Sequence, residues 1–418
     1  MEIKLKICML LPFPRYSNNL RVPPQVGIIS YLVHFGHNVK WILWSDSELK
    51  VQPIILNGVQ ISAITDHQFF PTKYFLFKIF NRMPNSMIRM RLTLKAFNQG
   101  SCNLIIVRDD ALDGLIGYYI KRKYKVPFVF VLSNPLEQGL EYTKIVEGNI
   151  NIIKNTFFRL HTFLTYRLLH RADLIMPISK WLGEDLVAKG FPITKIMPVP
   201  EGINPEVFQN HNGKDVTEKY NLEDSNVIIY IGTLGKGRRM ELLIRAFSEV
   251  RKHRDQVKLL IVGEGDGKED LERSCYELGV DEDVIFTGQV PMSKVPSYIA
   301  ASDIGVSPVP PFSFYKMSSP IKMFEYMAMG KPVVANEEIP EHKEVLEESR
   351  GGILVPNTPE GFSDAIIQLL DDREKALQMG RNGQDWVLKH RTYEKMAKDV
   401  VIGLLQIFDI PGINSSLR

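Results

Sequence analysis

Apolar positions along this chain fall into two alternating kinds of run. Short solid blocks at 6–11, 39–44, 103–107 and 127–132 read as buried strands, since both faces of a parallel sheet are covered. Longer stretches between them carry apolar residues at helical spacing. Residues 24–35 do so through Val26, Ile28, Ile29, Leu32 and Val33, with Gly36-His37 as the stop. Residues 110–123 and 151–171 do likewise, and 172–179 reads as a strand followed by an N-cap. Strand, helix, strand in this order predicts a parallel sheet. The second half repeats the logic. Strands are expected at 227–231, 258–262, 283–287, 300–308, 333–335 and 352–356, and helices at 240–250, 359–370, 373–389 and 393–408. The polar run 209–226 reads as a linker between the halves, and 412–418 as a loose tail.

The stretch 318–335 is the most informative. Ser319 suits an N-cap and Pro320 the first helical position. Ile321, Phe324 and Ala328 form one apolar face, Gly330 ends the helix, Pro332 blocks its continuation, and Val333-Val334-Ala335 reads as a buried strand. A helix that opens with unpaired N–H groups at its positive dipole end is an anion site, and Glu325 lies inside this one. A second candidate is Gly232-Thr233-Leu234-Gly235-Lys236-Gly237-Arg238-Arg239. Its glycines let backbone N–H groups approach a phosphate while Lys and Arg neutralise it. Gly263-Glu264-Gly265-Asp266-Gly267 is a further tight turn after a strand. Ligands of open α/β sheets bind beyond the carboxyl ends of strands, so 133–138, with Asn134, is also a candidate. Glu137 and Glu141 read there as solvated surface carboxylates.

Length and composition sharpen this picture. A chain of 418 residues exceeds one ordinary core, so two domains are expected. No apolar run approaches the roughly 18 residues of a membrane helix, and the N-terminus does not read as a signal peptide. Three scattered cysteines give neither metal spacing nor a disulfide framework, which fits a reducing cytosol. Net charge is +3, but residues to Phe208 carry about +10 and the rest about −7. Residues 67–107 contain no Asp or Glu, and Lys73, Lys78, Arg82, Arg89, Arg91 and Lys95 stand there among aromatic residues. With the basic, apolar stretch 151–171 this predicts a first domain that works at an anionic membrane surface.

The string 318–335 closely resembles the donor-site helix of retaining GT-B glycosyltransferases of family four, and 197–208 resembles the interdomain signature of that family. The resemblance implies an α/β protein of two Rossmann-like domains facing across a cleft, 1–208 and 209–391, with a terminal helix at 392–410 packing back on the first. It implies a nucleotide-sugar donor, UDP- or GDP-linked, held mainly by the second domain, and hexosyl transfer to an acceptor hydroxyl with retention. Glu325 would hold the ribose hydroxyls, and Ser318, Ser319, Pro320 and Ile321 would face phosphates and sugar. Gly232, Thr233, Gly263 and Val290 would line the donor, with Val290 by the nucleobase. Arg238 and Lys236 would neutralise the departing diphosphate, and Asn134 stands near where relatives place a sugar-contacting His. Two departures from the pattern are Met317, where the first motif Glu falls, and a first loop with Arg15, Asn18, Asn19 and Arg21 in place of a Gly-Gly pair. The expected acceptor is lipid-linked or saccharide, in cell-surface polysaccharide or glycolipid synthesis. Location is expected to be cytoplasmic, peripheral at the inner face of the membrane. No metal, cofactor or nucleic acid is expected. A nucleotide-sugar epimerase and a non-enzymatic nucleotide-sugar binder are the alternatives.

Overall fold

The apolar blocks form strands in two separate sheets of a computed structural model, which describes residues 4–16, 22–45, 54–65, 75–148 and 152–407. The chain divides into one unit of Met1–Pro200 with Met396–Arg418, and a second of Glu201–Lys395.

The strands of the first unit are β1 (Lys6–Tyr16), β2 (Asn38–Ser45), β3 (Ile54–Leu56), β4 (Val59–Thr65), β5 (Leu104–Arg108), β6 (Phe128–Leu132) and β7 (Leu174–Pro177). Their order is β3-β4-β2-β1-β5-β6-β7, parallel except for the edge strand β3. Its helices are α1 (Pro24–Ser30), α2 (Phe75–Asn98), α3 (Ala111–Tyr124), α4 (Gln138–Glu147), α5 (Ile152–Arg171) and α6 (Lys180–Ala188). β1 runs on to Tyr16, past the expected end at Leu11, and its register with β2 shifts between Leu11 and Tyr16. Pro12 and Pro14 lie in that irregular stretch, which is why it reads as loop. The helix at 24–35 tightens into a 3₁₀ turn at Tyr31–Phe35, closed by Gly36 at φ +83°. The loop residues Asn18, Asn19 and Arg21, the side chain of Arg15 and the tail lie outside the described residues.

The second unit holds β8 (Asn226–Ile231), β9 (Val257–Val262), β10 (Val284–Gly288), β11 (Ile304–Ser307), β12 (Val333–Asn336) and β13 (Gly352–Val355). They lie in the order β10-β9-β8-β11-β12-β13, all parallel. Its helices are α7 (Lys214–Tyr220), α8 (Glu241–His253), α9 (Lys268–Glu277), α10 (Val295–Ala300), α11 (Ser313–Lys316), α12 (Ile321–Ala328), α13 (Pro340–Ser349), α14 (Pro359–Asp371) and α15 (Arg373–His390). The run expected as linker belongs to this unit, where it forms α7 and buries Val216. The segment before it is held there as well. Ile203 N–H donates to Arg391 O at 2.8 Å and Tyr393 N–H to Ile203 O at 2.9 Å, a parallel bridge that fixes 201–208 in the second unit. The last helix, α16 (Tyr393–Gln406), passes into the first unit at Met396. There Met197 lies so close to Gly403 that a Cβ at Gly403 would stand 2.1 Å from its sulfur.

Each sheet is doubly wound, and its order reverses once, between β1 and β5 in the first and between β8 and β11 in the second. Such switch points open a crevice at the carboxyl ends of the strands. In the second unit the loops that flank it are 232–239, after β8, and 308–320, after β11.

Candidate active site

The glycine turn after β8 and the one after β9 pack backbone against backbone. Leu234 N–H donates to Glu264 O at 2.9 Å and Gly267 N–H to Leu234 O at 2.8 Å. Gly263 N–H reaches Gly288 O, at the end of β10, at 3.0 Å. Gly263 stands at φ +152°, and a Cβ there would lie 1.8 Å from Gly232 O. A Cβ at Gly265 or Gly267 would stand 2.4 or 2.7 Å from the Leu234 backbone. These positions need glycine because two main chains meet. The packing leaves Thr233 and Lys236 exposed and Arg238 half-buried. Val290 is partly buried on the core beyond β10.

α12 is tied to the sheet by Tyr326. Its ring covers Gly305 of β11, where a Cβ would stand 2.4 Å from the ring. Its hydroxyl accepts the Ile231 N–H at 2.9 Å. Met323, Phe324, Met327 and Ala328 complete the buried face, and Glu325 is buried among them at 2% exposure. The cap differs from expectation. Pro320, with extended backbone, occupies the N-cap position, and no side chain caps the helix. Ser319 Oγ instead accepts the Glu201 N–H at 3.0 Å, an engagement across the unit that draws it off the helix end. Ser319 is therefore not the side-chain cap of α12. Ser318 turns back on Tyr315 O at 2.7 Å.

Cations gather at this crevice. Arg238 lies 4.5 Å over the Tyr315 ring and Arg239 5.1 Å over Phe312. Among the described residues Arg238 has no carboxylate partner. Lys236, by contrast, is paired with Asp270 at 3.1 Å, so of the two expected phosphate cations Arg238 is the better placed. Burial pushes the Tyr230 hydroxyl up to about 12 although Arg238 pulls it down, so it stays protonated and donates to Thr233 O at 3.2 Å. Lys322, in the first turn of α12, was not singled out by sequence reasoning. Its Nζ lies 5.5 Å over the Tyr230 ring, and its side chain fills the space a Cβ at Gly232 would need. A cation in the opening turn of the anion-site helix was the available signal. Met317 ends α11, and Lys316 reaches Glu338 at 3.6 Å.

Behind α12 lies a buried polar layer. His342 is fully buried, with Nδ1 3.0 Å from Asn336 O and Nε2 3.0 Å from Ser307 Oγ. A carbonyl only accepts, so Nδ1 carries the proton and Nε2 accepts from Ser307. Burial lowers its pKa to about 4. Next to it Glu341 pairs with Arg391 at 2.8 Å. Burial raises this carboxyl to about 6 against the pull of Arg391 and a hydrogen bond from Ser319.

In the first unit Asn134 is exposed in the loop after β6. Its neighbour Ser133 is buried, N–H on Asp109 Oδ1 at 2.7 Å and hydroxyl on Gln25 Oε1 at 3.2 Å. Buried Gln25 also donates to Val199 O at 3.0 Å, joining the carboxyl ends of strands that the sequence leaves unrelated. Glu137 is not a free surface carboxylate. It accepts from the Tyr166 hydroxyl at 2.7 Å and from Lys189 at 3.2 Å. Burial pushes its pKa up, but those two partners outweigh it and hold it below the usual range. Among the described residues no group of three or more His, Cys, Asp and Glu side chains is placed to hold a metal ion, and no helix is long and apolar enough to cross a membrane.

The sequence profile of Glycosyltransferase Family 4 matches residues 27–207, and that of Glycosyl transferases group 1 matches 214–386. The chain belongs to this family of GT-B glycosyltransferases. It is similar to the GDP-mannose-dependent alpha-(1-6)-phosphatidylinositol monomannoside mannosyltransferase of Mycolicibacterium smegmatis, 27% identical over 226 residues covering 53% of this chain and 59% of the relative. It is also similar to the alpha-monoglucosyldiacylglycerol synthase of Streptococcus pneumoniae, 24% identical over 250 residues covering 58% and 54%. The matched regions thus span little more than half the length of these curated relatives. Among solved structures, sucrose-phosphate synthase from Thermosynechococcus elongatus matches with a TM-score of 0.74 and 18% identity, over 97% of this chain and 99% of that one. The fold class is GT-B, two Rossmann-like domains.

Proposed function

We propose that this protein is a hexosyltransferase that moves a sugar from a UDP- or GDP-linked donor to a hydroxyl of a glycolipid or saccharide acceptor, with retention. One observation carries the reading. At the switch point of the second unit, Arg238, which has no carboxylate partner among the described residues, and the start of α12, which no side chain caps, lie on the two flanking loops together with backbone-packed glycine turns. That is a site for a diphosphate. The names of the two curated relatives, a phosphatidylinositol monomannoside mannosyltransferase and an alpha-monoglucosyldiacylglycerol synthase, support a lipid-borne acceptor and with it a cytoplasmic protein peripheral to the membrane.

The chemistry needs little from a general base. The bond from the anomeric carbon to the diphosphate breaks, a bond to the acceptor oxygen forms, and the acceptor proton passes to the leaving diphosphate. The protein positions the partners and stabilises the charge that develops on the diphosphate. Arg238 supplies the opposing positive charge, the first-turn N–H groups of α12 add to it as donors, Glu325 holds the ribose, and Asn134 contacts the sugar.

The test is incubation with a panel of UDP- and GDP-sugars and membrane lipid extract, read by mass spectrometry. The expected result is one nucleotide-sugar consumed only when acceptor is present, with a hexosylated product. Isomerised nucleotide-sugar without acceptor would point to an epimerase. Binding without any consumption would leave only a nucleotide-sugar binder.

A further inference from the structure

The sheet of the first unit has its own switch point, between β1 and β5, and a connected set of polar side chains lines the carboxyl ends of its strands. The set starts at buried Gln25 in α1, whose amide donates to Val199 O at 3.0 Å and accepts the Ser133 hydroxyl at 3.2 Å. Ser133 N–H donates to Asp109 Oδ1 at 2.7 Å. Asp109 Oδ2 in turn meets the Arg108 guanidinium at 3.4 Å. Arg108 is the last residue of β5, beside the switch point.

Arg108 is under-used. Its Nε is buried with no hydrogen-bond partner among the described residues, and its ion pair with Asp109 is long. Buried polar groups are paired as a rule, so this exception calls for an acceptor. Asp109 has the complementary lack. Its Oδ1 is taken by Ser133, while among the described residues Oδ2 meets Arg108 alone, and the side chain is 25% exposed. Two neighbouring carboxylates are occupied instead. Asp110 accepts the N–H groups of Leu112 and Asp113 as the cap of α3, and Glu137 accepts from Tyr166 and Lys189.

A ligand that suits this pair must both give and take hydrogen bonds. A phosphate or carboxylate would satisfy Arg108 but would bring negative charge against Asp109. An apolar group would satisfy neither. A hydroxyl donates its proton to the carboxylate and offers its oxygen to the guanidinium. Two adjacent hydroxyls match the paired oxygens and paired nitrogens of these two planar groups.

We propose that Arg108 and Asp109 form an acceptor subsite that holds two adjacent hydroxyls of a sugar or cyclitol, with Gln25 and Ser133 fixing Asp109 from behind. The inference deepens the transferase reading, on which its purpose rests, and narrows the acceptor to a polyhydroxylated head group rather than a lone lipid hydroxyl. Asn134, the proposed contact of the transferred sugar, follows Ser133 directly, so the subsite adjoins the residue an acceptor has to reach.

The experiment is saturation-transfer NMR of the full chain with methyl α-mannoside, methyl α-glucoside and myo-inositol as probes, repeated on Asp109→Asn and Arg108→Gln. Asp109 stands at φ +55°, which Asn also tolerates. Asp109→Asn therefore keeps the backbone and one acceptor oxygen while turning the other into a donor. The wild type is expected to bind at least one probe, and each variant to bind it about tenfold more weakly or worse. Melting temperature, and UDP and GDP affinity by calorimetry, should stay as in the wild type. In transfer assays the same variants should raise acceptor KM by a similar factor and leave donor KM alone, a split that a general loosening of the fold would not give. The inference is overturned if no probe binds, if either variant binds a probe as the wild type does, or if inorganic phosphate displaces the probe, which would make this an anion site. Variants that lose melting temperature and nucleotide affinity along with the probe would assign the pair to the fold and overturn it too. Nucleotide binding and sugar transfer with acceptor KM unmoved in the variants sink this inference alone. Probe binding that the variants lose, in a wild type that binds neither UDP nor GDP, sinks the transferase reading alone.

Discussion

Glu325 combines near-complete burial with a place in the helix that starts at the switch point. If it accepts ribose hydroxyls, Glu325→Gln should weaken nucleoside diphosphate binding by about 1–3 kcal/mol. Calorimetry on the folded variant checks this, and unchanged affinity removes Glu325 from the donor site. His342 gives a second expectation, with a definite sign. Its pKa falls from 6.5 to about 4 on folding, so the unfolded chain binds more protons in that window and stability drops as pH falls through it. The loss should be on the order of 3 kcal/mol, complete below about pH 4. Glu341 works in the opposite sense, because its raised pKa of about 6 makes its contribution fade as pH rises toward that value. Denaturant melts of wild type and His342→Gln between about pH 4 and 7 should differ by the histidine share alone, and parallel curves would show that His342 titrates normally. The glycine turns after β8 and β9 were legible in the sequence because their chemistry is local. The duty of Ser319 was not, since its partner Glu201 lies far off in the chain and no local pattern tells a cap from a long-range acceptor.

At the scale of elements, the glycine turns after β8 and β9 depend on main chains meeting closely. Gly263→Ala would place a Cβ against Gly232 O at a backbone angle that side chains avoid. It should cost about 2–4 kcal/mol and reduce nucleotide binding. Gly279→Ala is the control. Its φ is +67° with nothing within 4 Å of the added Cβ, and it should cost only about 1 kcal/mol. Thermal melts that show equal costs would mean the turn relaxes and the contact is not tight. Buried parallel strands were legible as solid apolar blocks, for instance 103–107 and 127–132. The edge pair β3 and β4 was not, since Gln60 and Ser62 break the run of β4 and β3 is three residues long. α2 was hidden as a helix by Pro84 in its interior, which reads as a breaker.

For the whole molecule, the excess of positive charge before Phe208 is not all at the surface, since one of its members, Arg89, is spent on an internal ion pair with Asp113. The negative remainder lies with the unit that carries the switch-point crevice between β8 and β11, so cations there are local features and their removal should be felt locally. That makes Arg238 the sharpest probe of the account. The deciding measurement is the turnover rate of Arg238→Ala at saturating donor, with the donor and acceptor found by the panel assay and the melting temperature taken alongside. Loss of a group that meets charge as the diphosphate departs should lower turnover by about 10²–10³ while the melting temperature stays close to that of the wild type. Wild-type turnover by Arg238→Ala would contradict the account, because the switch-point crevice would then not be where the sugar leaves its diphosphate.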